Sequence, residues 1–243
     1  SLLPDGTNPH VFEPSPQDIQ RAYSAGVFIY NGLALEPYAE QLSRSLPESV
    51  VVIEASRGAS LIETGEQDHG PYDPHVWLDP NLAKQEIDNI EKGLENADPQ
   101  NSAYYRDNAE QYKKKLDLLD NEMRSKTSKF RNKRYVGFHP SFTYFNKRYG
   151  LEYVAVIEKF AGSEPSAQEM AKIVDEAKAN GVHTLFSEPF LDPRAAQAIA
   201  NEIGGEVVPL NPMHTLTPEE RSEGKDYFSI MRDNVDKLSG ALS

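Results

Sequence analysis

The sequence predicts an α/β protein made of two parallel-sheet lobes joined by a long helix, and three observations predict it. Short apolar runs alternate with helical patterns in both halves of the chain, the mark of strand–helix layers built on parallel strands. Between the halves, Tyr105, Ala109, Tyr112, Leu116, Leu119, Met123 and Phe130 recur at spacings of 3 and 4 or of 7, the stripe of a long amphipathic helix packing its apolar face on a core. Four strand–helix units follow that stripe and only two clear ones precede it, so the lobes are unequal.

Each element has a local cause. Ser15-Pro16 opens a helix, with Pro at the first helical position, where its missing N–H costs nothing. "VFIYNG" (27–32) reads as a buried strand ending in an Asn-Gly turn; a helix over about 36–46 leads to a second strand at 50–53. "RGASLIETGEQDHGPYDPH" is polar and turn-rich and reads as a loop. Helical pattern resumes near Asn81 and breaks only at Asp98-Pro99, ahead of the striped helix. Alternation then restarts with strand 134–138, a short helix, strand 153–157 and a helix that Ser166 and Glu169 open as a capping box and Asn180-Gly181 stop. Strand 183–187 precedes a helix opened by Asp192-Pro193 and closed at Gly204-Gly205. Strand 206–210 follows, then a last helix with Phe228, Met231, Val235, Leu238 and Leu242 at helical spacing. Ser1-Leu2-Leu3 reads as the tail of a third strand of the first lobe, whose beginning the chain is expected to lack. The segments are therefore a first lobe at 1–98, a linking helix at 99–131 and a second lobe at 132–243.

Composition narrows the function. A chain of 243 residues buries a core in one large domain or two small ones. Its net charge of -13 speaks against nucleic acid, whose binding needs Lys and Arg to neutralise phosphates. The absence of cysteine excludes disulfides, thiolate catalysis and Cys-based metal sites. No apolar run is long enough to span a bilayer, and no leader stands at the start, so a signal peptide, if there was one, has been removed.

Six histidines remain to be placed: His10, His69, His75, His139, His183 and His214. Taken singly, a loop histidine is a surface or turn residue. Their placement on the elements says more. His139 comes directly after strand 134–138, His75 lies in the loop after strand 50–53, and His10 follows the strand tail at Leu3. Ligands gather outside the carboxyl ends of parallel strands, and neutral imidazole is the commonest protein ligand for zinc, whose sites need three or four converging donors. His183, at a strand start, reads as structural. His69, in acidic "GEQDHG", reads as exposed, with weak metal attraction alongside Asp68 and Glu66. His214, close behind strand 206–210, stays a candidate for the neighbourhood of a site.

"TNPHVFEPSP", "YDPHVWLDP", "FHPSFTYF", "FSEPFLDPRAAQAIANEIGGEVV" and "LNPM" occur in order along nearly the whole chain. Together they resemble the metal-binding solute-binding proteins of ABC importers for zinc and manganese, the zinc-uptake and adhesin-like lipoprotein family. The resemblance implies two α/β lobes, a rigid joining helix and a divalent metal held in the cleft between the lobes. By motif it implies His10 and His75 as ligands from the first lobe and His139 from the second. The family's fourth ligand is commonly an Asp in a pattern like "LDPL"; here that position is Asn211. The shell is then completed by Asn211 through its carbonyl oxygen, by water, or by Glu188, which serves equally as a partner orienting a histidine. Relatives with a long His-rich loop before "DPHVWLDP" differ from this chain, which has only "ETGEQDHGPY" there. The family also begins with a further strand and helix ahead of "SLLP".

Three imidazoles suit zinc; manganese, the alternative cargo, prefers more oxygen ligands. The resemblance implies an extracytoplasmic monomer, in the periplasm or at the cell surface and lipid-anchored through a segment ahead of Ser1, that docks on the membrane permease of an ABC importer and hands over the ion. Two other classes compete. A three-histidine zinc with an open position is also the geometry of a hydrolase, with Glu188 as general base, but no H-E-x-x-H pattern occurs. An adhesin would not by itself explain converging histidines.

Overall fold

The structure is a computed structural model and describes residues 1–64, 70–160 and 162–243. Its contacts divide the chain into two compact units, Ser1–Asn121 and Glu122–Ser243. The boundary falls inside the long helix.

In the first unit, α1 (Pro16–Tyr23) begins where foreseen: the Ser15 hydroxyl accepts the Asp18 N–H and the Asp18 carboxylate accepts the Ser15 N–H, so each satisfies an orphan donor of the first turn. β1 (Val27–Tyr30) and β2 (Val51–Glu54) pair in parallel, with α2 (Pro37–Ser45) as the crossover. Phe28, Ala39, Leu42 and Val50 form the buried cluster between these elements, and Leu2 packs against it. The strand expected at Ser1–Leu3 is not present; Leu2 contributes by burial instead of by pairing. α3 (Pro80–Ala97) lies so close to β2 that a Cβ on Gly93 would come within 2.2 Å of Ile53 Cδ1, which is why a helix interior tolerates glycine here.

Asp98 breaks the helical run, its carboxylate accepting from Tyr105 Oη–H and Asn101 Nδ2–H around the turn at Pro99–Asn101. The helix α4 (Ser102–Thr127) then carries the foreseen stripe as far as Met123, with Leu116, Leu119 and Met123 fully buried, while Phe130 lies past its end and is buried there.

The second unit centres on a parallel sheet in the order β4-β3-β5-β6, from β3 (Arg134–Gly137), β4 (Glu152–Val156), β5 (Thr184–Ser187) and β6 (Glu206–Pro209). α5 (Thr143–Tyr149), α6 (Ala167–Ala179) and α7 (Arg194–Ile203) are the crossovers. Val136, Phe138, Ile173, Leu185, Ile199 and their neighbours make the core, apolar on both sides of the central strands as a covered parallel sheet requires. α8 (Pro218–Ser222), which the sequence reading passed over, has the capping pair Thr217 and Glu220. α9 (Tyr227–Leu242) closes the unit and is tied to the last turns of α4 by Lys126–Asp236 at 2.5 Å and Arg232–Glu122 at 2.8 Å. The strand order places the carboxyl ends of β3, β5 and β6 side by side at one edge, where His139, Glu188 and Asn211 emerge.

Candidate metal centre

Each unit presents a pair of histidines. In the first, His10 sits in a single 3-10 turn (Pro9–Val11) whose first N–H is capped by the Asn8 side chain, at 3.0 Å from His10 N. His75 immediately precedes a second such turn (Val76–Leu78), anchored by the fully buried Val76 and Leu78. The Asp73 carboxylate accepts from the His75 backbone N–H at 2.9 Å and from its ring Nδ1–H at 2.7 Å. Asn31, at the end of β1, donates to the Pro74 carbonyl at 3.0 Å and holds the same segment from the sheet side.

With its proton directed at Asp73, Nδ1 of His75 leaves Nε2 as the bare nitrogen. That atom lies 3.3 Å from Nε2 of His10. Two nitrogens bound tetrahedrally to zinc at the usual bond length stand about 3.3–3.4 Å apart. The pair therefore already has the spacing of one edge of a zinc tetrahedron.

In the second unit His139, 3% exposed, leaves β3 after Phe138, and Glu188, 7% exposed, leaves β5 after Ser187. Because β3 and β5 are neighbours, Glu188 reaches the His139 Nδ1, and it also accepts the Ser141 hydroxyl at 3.1 Å. A carboxylate on Nδ1 again leaves Nε2 as the bare nitrogen. The Glu188 carboxylate is thus hydrogen-bonded to a histidine ring on its Nδ1 side. Glu158, at the end of β4, stands in the same neighbourhood and accepts the Gly162 N–H at 2.7 Å. Burial pushes its carboxyl above the ordinary carboxylate value, against the opposing pull of the Gly162 N–H.

The second member of this pair is His214, whose ring centroid lies 5.7 Å from that of His139. Asn211, one of the three alternatives for the fourth position, is hydrogen-bonded at both ends of its side chain. Its side-chain oxygen accepts the Met213 N–H at 2.7 Å, and its amide nitrogen lies 2.9 Å from both carboxylate oxygens of Glu220. His183 is exposed at the amino end of β5, the opposite end of that strand from Glu188. His69, with Asp68 and Glu66, lies outside the described residues.

In the sequence His214 reads only as a neighbour of a site, and Asp73 reads as a turn residue without a role of its own. The signals were present: His214 stands four residues behind a strand end, and Asp73 stands two residues before a histidine in "DPH".

The description of the zinc-uptake complex component A family, periplasmic, matches residues 1–241. The high-affinity zinc uptake system protein ZnuA of Bacillus subtilis is 34% identical over 99% of this chain and 79% of its own length. The zinc-binding protein AdcA of Streptococcus pyogenes is 30% identical over 98% of this chain, which spans only 50% of that longer protein. Among solved structures, the Zn(II)-bound ZnuA-like domain of AdcA from Streptococcus pneumoniae superposes with a TM-score of 0.85 at 29% identity, covering 99% of this chain and 89% of that domain. These names describe zinc binding and uptake and not a catalysed reaction.

Proposed function

The chain belongs to the zinc-uptake complex component A family, and from that premise we propose that it captures zinc outside the cytoplasm and delivers it to the membrane permease of an ABC importer. Its ligands are His10 and His75 from the first unit and His139 and His214 from the second, four neutral imidazoles serving one ion. The observation that carries this reading is the His10–His75 pair, whose Nε2 atoms stand 3.3 Å apart with Asp73 fixing the tautomer of His75. Glu188 gives His139 the same kind of support. A donor set of imidazoles favours zinc over manganese, which prefers oxygen. His214 takes the fourth position in this reading, and Asn211 supports it without binding the ion.

The test is metal content and competitive zinc titration of the protein and of His10→Ala, His75→Ala, His139→Ala and His214→Ala. Stoichiometric zinc that is weakened in all four variants bears the reading out; unchanged affinity in any one removes that histidine from the site. Zinc uptake by vesicles containing the partner importer, supported by the protein and not by His75→Ala, tests delivery.

A further inference from the structure

Resting on the reading of His214 as a ligand, we propose that Asn211 is a positioning residue which, with Glu220 and Asn234, forms a clasp that presents His214 to the ion. Asn211 is 3% exposed and is gripped through both of its backbone groups by one side chain of α9: its N–H donates to Asn234 Oδ1 at 2.9 Å, and its carbonyl accepts from Asn234 Nδ2 at 2.7 Å. Asn234 is itself 1% exposed, so the anchor is part of the core.

From this anchor the Asn211 side chain reaches in two directions. Its oxygen accepts the N–H of Met213 at 2.7 Å, and its amide nitrogen donates to the Glu220 carboxylate, 2.9 Å from each oxygen. The same carboxylate accepts the Thr217 N–H at 2.9 Å, while Thr217 caps α8 through the Glu220 N–H at 3.1 Å. One carboxylate therefore ties down both ends of the loop from 211 to 217, and His214 lies inside it.

The backbone at Met213 shows what the clasp imposes. Its φ is +59, in the left-handed region that a residue with a side chain enters only when its surroundings dictate it. The hydrogen bond from Met213 N–H to Asn211 closes this turn, and His214 is the next residue, so the direction in which its ring leaves the chain is set there. The chemistry also explains asparagine at this position. Glu220 needs a donor, and a carboxylate at 211 would stand against another carboxylate at hydrogen-bond distance.

The experiment is a double-mutant cycle on zinc affinity, read by competition with a chelating dye, together with the visible absorption of the protein loaded with cobalt(II). Asn211→Ala is expected to weaken zinc by about 10–100-fold, to shift the cobalt spectrum in the same direction as His214→Ala, and to add nothing further when His214 is already Ala. In a polarity swap, Asn211→Asp weakens binding and Asn211→Asp with Glu220→Gln restores it, because the glutamine amide then donates to the aspartate. Additive losses in the double variant, or a swap that restores nothing, overturn the clasp while leaving His214 as a ligand. Full affinity in His214→Ala overturns instead the ligand reading on which the clasp rests.

Discussion

A histidine that is to hold a metal must present one bare nitrogen in one direction, and at His75 the neighbouring Asp73 settles both. Its carboxylate takes the backbone N–H and the ring Nδ1–H of the same residue, so the imidazole can neither rotate nor exchange tautomers without losing a buried hydrogen bond. Removing such an outer partner typically costs metal affinity about 10–100-fold. Asp73→Ala is therefore expected to weaken zinc by that order while Asp73→Asn, which keeps an oxygen acceptor, loses less; equal affinity in wild type and Asp73→Ala, by dye competition, would remove the aspartate from this role. Glu188 does for His139 what Asp73 does for His75, but from a separate strand. Its role was therefore open in the sequence, where it was a candidate ligand, a candidate partner and, for a hydrolase, a candidate general base.

At the scale of elements, the strands and helices were almost all legible because each carries its own local signal. α1 and α6 start behind Ser15 and Ser166 as foreseen, the second through its expected capping box, and Gly204 ends α7 in the left-handed conformation. Close approach between elements has no local signal. Gly205 looks in sequence like half of a helix stop, yet a Cβ there would lie 2.0 Å from the His183 carbonyl oxygen, where the start of β6 meets the start of β5. The obstacle is backbone and cannot swing aside. Gly205→Ala is expected to destabilise the second unit by about 1–3 kcal/mol, read as a lower denaturant midpoint. An unchanged midpoint would mean that the two strand ends move apart freely. α8 was missed for a different reason: five residues are too few to show a helical period.

At the scale of the whole molecule, an acidic chain also carries carboxyls that folding disfavours as charges. The Glu86 carboxyl on α3 is pushed up to about 8 from an ordinary 4.5, first by burial and then by the like charge of Glu36. The folded protein therefore binds this proton more tightly than the unfolded chain. The associated stability is fully present below about pH 4.5 and is lost as pH rises through about 8. Thermal midpoints of wild type and Glu86→Gln, compared across that range, are expected to diverge in favour of the variant as pH rises; a constant difference at every pH would show that Glu86 is already ionised in the fold. By itself the sequence determined the alternation of strands and helices, the striped helix, the family resemblance, and the placement of His75 and His139 in loops that follow strands. Those features rest on period, capping and motif, which neighbouring residues in the chain carry. Only the tertiary structure decided that Glu188 is held against His139, that His214 stands beside it, and that Asn211 turns its amide to Glu220. The first two contacts join residues that the chain separates and the sheet edge brings together, and the third closes the loop after β6 onto α8.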